Sequence, residues 1–284
     1  MRTLVMLVAL AAAGICAQGQ NLIVNGDAEN GMENWNDNQV AVCAEKPHDG
    51  KNCFKSVAGN IQTKELIPVD PSKAYKLSGW FRSGDNKKIK LLVGLVPHNE
   101  SKKWLQSQFV NPVAGTETEL VQNCKETDTV IKVKEAGKWK KEPTNSLIAF
   151  NVDATGGYKD IPNTELSTGN VIKVEQKGGS WELTLEKPCG KPYPAGTKVR
   201  QHQRSATYIY PLTVNDFNST EWQEVSAVVK DVAQTGCYPG TKFWNSTKYV
   251  KIVILPINGG IIYFDDLKLE ELKAEVKNTP EGEK

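Results

Sequence analysis

The residues best suited to chemistry are aromatic. Trp80 stands in the segment Ala74–Arg82, AYKLSGWFR, whose alternation puts Tyr75, Leu77, Gly79 and Phe81 on one face. Lys76, Ser78, Trp80 and Arg82 fall on the other. Period-two alternation with one apolar face is the pattern of a half-buried strand. An indole plane flanked by polar side chains suits the C–H faces and hydroxyls of a sugar ring. Tyr208 and Tyr210 share one face of their own segment and could join Trp80. Trp104 and Gln106, in the loop region after Lys88–Val96, could form a rim. The competing expectation for Trp80 is that an inserted part of the chain covers it. Catalytic signatures are scarce: His48, His98 and His202 are the three histidines, with no H-E-x-x-H and no G-x-S-x-G. No pair stands out among the 33 acidic residues, so no enzyme is expected.

Two motifs near the ends say more. Asn21–Trp35 reads NLIVNGDAENGMENW and Tyr263–Glu270 reads YFDDLKLE. Together they resemble the opening and closing strands of the family 4/9/22 group of carbohydrate-binding modules, galactose-binding-like jelly rolls. The resemblance covers the first hundred or so residues and the last eighty. It implies that the first and last strands lie side by side, bringing Asn25–Glu29 close to Asp265 and Asp266. It also implies a structural Ca²⁺, a hard cation that takes oxygen donors. Carried over, the ligands are the Asp27 carbonyl, the Glu29 carboxylate, the Lys51 carbonyl and the Asp265 carboxylate. His48 or Asp49 stands where the family often has a further acid. Trp35 and Trp222 match the family's structural tryptophans and are expected in the core.

The elements that would position these residues are strands throughout. Candidates are Gln39–Ala44, Ile61–Val69, Ala74–Arg82, Lys88–Val96, Thr207–Val214, Trp222–Val229, Tyr249–Leu255 and Gly260–Leu269, separated by turn signals such as Ser83-Gly84-Asp85 and Asn258-Gly259-Gly260. The fold class is all-β, a jelly-roll β-sandwich with an inserted small β subdomain. The sandwich is discontinuous, residues 18–112 and 203–273, and the insertion spans 113–202. Within the insertion, Val130–Val133 and Val171–Val174 both read VIKV, either a duplicated hairpin or chance, and Trp181–Leu185 is a further strand. Residues 274–284 are charged and expected to be disordered.

Residues 1–17 read as a signal peptide: Arg2 opens it, Leu4–Cys16 is apolar, and cleavage is expected after Ala17. The mature chain is expected to be secreted and extracellular, or periplasmic if the source is Gram-negative. Export permits disulfides. Cys43 and Cys53 bracket the turn Pro47–Gly50 and would face each other on a hairpin, an expected bridge. Cys124, Cys189 and Cys237 remain, with their pairing open. A net charge of +2 gives no case for nucleic acid or an anionic membrane. Asn99, Asn218 and Asn245 head glycosylation sequons that count only in a eukaryote. These features lead to a secreted, non-catalytic polysaccharide-binding protein. An extracellular scaffold contacting a protein through the insertion is the alternative, and a small glycoside hydrolase stands behind it.

Overall fold

The computed structural model describes residues 19–36, 38–56, 59–140, 145–234 and 239–273. The expected signal peptide, the charged tail and Cys237 lie outside them. Strands β1 (Val40–Cys43) and β2 (Cys53–Ser56) form a hairpin. Short β3 (Ile61–Gln62) and β4 (Ile67–Pro68) lead to the long β5 (Ala74–Ser83) and β6 (Ile89–His98). A one-turn helix α1 (Ser107–Val110) leads into the inserted region, which begins with β7 (Thr118–Glu119), β8 (Val130–Val133) and β9 (Ser146–Phe150). It continues with β10 (Val171–Lys177), β11 (Ser180–Leu185) and β12 (Lys198–Gln203). The chain then adds β13 (Ile209–Phe217), β14 (Gln223–Val229), β15 (Val232–Ala233), β16 (Phe243–Trp244), β17 (Tyr249–Ile257) and β18 (Ile262–Leu272).

Two sheets make the sandwich, as expected for the jelly-roll class. One runs β1-β2-β18-β5-β14 and the other β13-β6-β17-β3, with β4 also on β17. Alternation decides what lies between them. Leu77 and Phe81 of β5, Phe54 of β2 and Phe264 of β18 meet Leu91, Val93 and Leu95 of β6 and Ile252 and Ile254 of β17 in one core. Trp35 is fully buried against Phe54 and Phe264, with ring centroids 5.1 and 5.5 Å away. A bulge between Asp265 and Lys268 keeps both Phe264 and Leu267 inward, because one extra residue restores the phase of the alternation. Asp266 takes a left-handed φ of 50° there.

The segment 21–26, expected as the first strand, is instead rich in turns and clips onto β18 through backbone bonds. Leu22 N–H donates to the Leu269 carbonyl at 2.9 Å and Leu267 N–H to the Gly26 carbonyl at 3.0 Å. Gly26 is required: a Cβ would lie 2.1 Å from the Leu267 carbonyl oxygen. First and last segments are therefore neighbours, by a shorter contact than a full strand pairing.

The insertion has its own core. Ile131, Ile148, Phe150, Leu183, Leu185 and Val199 pack with Trp139, and the Phe150 and Tyr193 rings stack 3.8 Å apart. Its two three-stranded sheets run β10-β11-β8 and β7-β12-β9. The two VIKV segments thus flank the same strand, β11. The chain leaves and re-enters the sandwich at one point, where Pro112 bridges His202. A buried polar group sits at that root. Arg200, wholly buried, donates to Asp160 Oδ2 at 2.8 Å and to His202 Nε2, and its guanidinium lies 5.0 Å from the Tyr158 ring. Among the described residues no helix is long and apolar enough to cross a membrane.

Candidate functional site

The expected aromatic set does not lie on one surface. Lys76, Trp80 and Arg82 project from the outer face of the first sheet, opposite Leu77 and Phe81. Tyr208 and Tyr210 belong to the outer face of the second sheet, because β13 pairs with β6. The whole thickness of the core separates the two groups, so the tyrosines do not join Trp80.

The first-sheet face is engaged from within the chain. The connection 44–52 between β1 and β2 folds back over β5 and sets His48 flat on Trp80, with ring centroids 3.9 Å apart and planes 15° from parallel. His48 Nδ1 lies 2.9 Å from Asp266 Oδ2. Arg82 is 6% exposed, held 3.6 Å from the Tyr263 ring and 5.2 Å from the Trp222 ring, and donates to the Glu45 carbonyl. Lys76 pairs with Glu224 at 3.6 Å. Trp80, itself half-buried, therefore has one ring face covered, by a histidine of the hairpin and not by the inserted subdomain. Trp222 is not in the core: it is half-buried on this outer face, its indole N–H donating to the Lys46 carbonyl at 3.0 Å.

Two of the expected cation ligands, the Glu29 and Asp265 carboxylates, contact the same connection. Glu29 Oε1 accepts the Lys51 and Asn52 N–H groups, both at 2.8 Å. Asp265 Oδ2 accepts the His48 N–H at 2.9 Å, and Asp265 Oδ1 that of Asp266. Both carboxylates thus hold backbone N–H groups of the 48–52 segment. Asp265 is 1% exposed and pairs with no basic side chain among the described residues. Burial pushes its acid up to about 6, and the neighbouring Asp266 carboxylate adds to the rise. No cluster of three or more His, Cys, Asp or Glu side chains able to hold a metal occurs among the described residues. Two carboxylates with the Asp27 and Lys51 carbonyls are nevertheless hard oxygen donors, and a buried carboxylate lacking a cation fits such an ion in chemistry. Cys43 and Cys53 face each other across the hairpin, their sulfurs 3.6 Å apart and not bonded.

The second-sheet face is more open. Trp104, 45% exposed, tilts against Tyr208 at 6.1 Å, and Tyr208 meets Tyr210 edge-on at 5.9 Å. These three rings make a row. The Tyr208 hydroxyl accepts from Asn60 Nδ2 at 3.3 Å and Gln62 Nε2 at 3.4 Å, reaching across β6 and β17 to the far edge of the sheet. Gly94 in mid-β6 makes room: a Cβ there would lie 2.1 Å from the Ile209 carbonyl oxygen and 2.9 Å from the Tyr210 ring. Two grooves lie near Tyr208, one holding the amides that bond its hydroxyl and one lined by its ring. One, of about 400 Å³, is lined by Asn36, Asn60, Gln62, Thr63, Lys64 and Lys251. The other, of about 330 Å³, is lined by Lys90, Leu92 and Thr213, the two tyrosines, and Ala206, Pro239 and Gly240. Gln106 stands at the N-cap position of α1 without a side-chain capping bond, and its Oε1 accepts from Gln108 Nε2. Asn60, Gln62, Lys90 and Lys251 escaped sequence reasoning. A glycine inside an apolar strand, LLVGLVPH, was the available signal, since it marks a close approach.

This geometry defines the class as an all-β sandwich of antiparallel sheets carrying a small inserted β subdomain. Residues 20–130 match the family model described as a carbohydrate binding domain, which bears out the resemblance of the opening motif. Among solved structures, the chain is similar to a family 16 carbohydrate binding module-2, with 15% identity and a TM-score of 0.34 over 88% of this chain and 99% of that one. It is also similar to the CBM22-1 xylan-binding domain of Xyn10C from Paenibacillus barcinonensis, with 10% identity and a TM-score of 0.33 over 92% and 99%. TmCBM61 in complex with β-1,4-galactotriose gives 9% identity and a TM-score of 0.33 over 88% and 97%. No curated protein matches the chain.

Proposed function

We propose that this chain is a secreted, non-catalytic polysaccharide-binding module that holds its glycan on the outer face of the second sheet. The observation that carries the reading is the row Trp104–Tyr208–Tyr210 beside the amides of Asn60 and Gln62. Ring planes stack on sugar C–H faces while amides satisfy hydroxyls. The match of residues 20–130 to a carbohydrate binding domain supports a glycan as the ligand class. Affinity electrophoresis through gels containing soluble glucans, xylans, mannans and galactans tests it. One class should retard the protein, and Trp104→Ala should weaken retardation about tenfold or more. Retardation that survives Trp104→Ala and Tyr210→Ala, but is lost in a variant lacking the His48 and Trp80 rings, would move the site to the first sheet.

A structural Ca²⁺ between Glu29, Asp265 and the carbonyls of Asp27 and Lys51 belongs to the same proposal. When bound, it would neutralise the buried Asp265 carboxylate and tie the 48–52 segment to both ends of the sandwich. Calcium should raise the melting temperature above pH 6 and EDTA lower it, with Asp265→Asn blunting the response. An identical melt with and without calcium would remove the ion. Under secretion, Cys43 and Cys53 close into a disulfide. A second reading, a protein partner docking on the insertion, draws on the exposed Val121, Val130 and Ile172.

A further inference from the structure

The charge of the second-sheet face differs from that of the molecule as a whole. The chain is close to neutral, with 35 basic and 33 acidic residues. Yet Lys64 and Lys251 line one groove and Lys90 the other, and no carboxylate lines either. None of these three lysines forms an ion pair among the described residues, whereas Lys55, Lys76, Lys132 and Lys198 on other strands do. On β6 and β17 the pairs Lys90↔Ile257, Leu92↔Leu255, Gly94↔Val253 and Val96↔Lys251 occupy the outer face. Lys90 and Lys251 therefore stand at the two ends of this face, about 20 Å apart at 3.3 Å per strand residue. Apolar floor and the Tyr208–Tyr210 rings lie between them.

We infer that the ligand is an acidic polysaccharide, a chain of largely neutral sugars carrying uronic-acid carboxylates at intervals of several residues. This rests on the glycan-binding reading above. The ring row takes the neutral sugars, and the lysines at either end take the carboxylates. Widely spaced single lysines match sparse negative charge. A densely sulfated chain would instead call for clustered cations able to meet many charges in each turn of the polymer.

The test compares one uronate-bearing polysaccharide, such as glucuronoxylan, with its carboxyl-reduced derivative, which keeps the backbone and loses the charge. Affinity electrophoresis of the full chain at low salt should show about tenfold tighter binding to the uronate form, and added sodium chloride should erase the difference. Lys90→Ala with Lys251→Ala should remove that preference, so that the uronate-bearing and carboxyl-reduced polymers bind alike. Lys125→Ala with Lys138→Ala, exposed lysines of the insertion, should change nothing. Equal binding of the two polymers, or an equal loss on substituting Lys125 and Lys138, overturns the inference and leaves the glycan-binding reading standing. Tighter binding of dextran sulfate than of the uronate chain also overturns it. Binding of no polymer overturns both.

Discussion

His202 shows how one side chain reports the state of the insertion's root. It is wholly buried, its Nδ1–H donates to the Gln108 carbonyl at 2.7 Å, and its Nε2 accepts from Arg200. Burial, and the guanidinium beside it, hold its pKa down to about 4. The unfolded imidazole takes up a proton near 6.5, which the folded one refuses until about 4. Above pH 6.5 the group is therefore neutral in its cost, and between 6.5 and 4 stability falls with pH, by up to about 3 kcal/mol. His202→Gln should flatten that stretch of the pH–stability curve in urea titrations. An unchanged slope would place the acid sensitivity elsewhere. Gly94 makes a second test at this scale. Gly94→Ala should cost about 1–3 kcal/mol by overpacking and displace the Tyr210 ring, so glycan retardation should fall along with the melting temperature.

At the scale of the element, the β1–β2 hairpin governs the first sheet. Its long connection brings His48 to Trp80, Glu45 to Arg82 and Tyr263, and the 48–52 backbone to Glu29 and Asp265. An oxidised Cys43–Cys53 should close that loop and add about 2–3 kcal/mol. Reducing agent should lower the melting temperature, with Cys43→Ser already at the reduced value. The hairpin also marks where the sequence was legible. The alternation in Ala74–Arg82 placed β5 and assigned both its faces, and VIKV and WELTL placed β8, β10 and β11. What covers an outer face depends on where a loop travels, and no local pattern in Glu45–Asn52 encodes its landing on Trp80. Tyr208 and Tyr210 were likewise read correctly as sharing a face, but alternation cannot say which sheet a strand joins. Strand order is a non-local fact, and the expected ligand face was divided for that reason. Trp222 followed its family counterpart into an expected core, yet it precedes β14 on the outer side.

For the whole molecule, two separate cores set the pattern of stability. The sandwich core gathers long strands paired on both sides, such as β5 between β18 and β14. In the insertion, β10 is an edge strand whose residues Ile172–Lys177 are exposed or half-buried. Local opening costs least where few buried contacts resist it. Amide hydrogen exchange should therefore release β8, β10 and β11 well before β5, β6, β17 and β18. Uniform protection across both parts would mean that the Arg200–Asp160–His202 group couples them into one cooperative unit.

The order β1-β2-β18-β5-β14 carries a consequence for how such a chain is made. The strand at the centre of the first sheet, β18, is the last of these strands to leave the ribosome. Until it arrives, β2 and β5 have no partner between them, and each presents a bare row of amide donors and carbonyl acceptors. A nascent chain halted anywhere in the roughly 180 residues between β5 and β18 would carry both unzipped edges together with an open core, the state most prone to join another chain. Closure of the sheet is thus a proof of synthesis to residue 272, built into the topology.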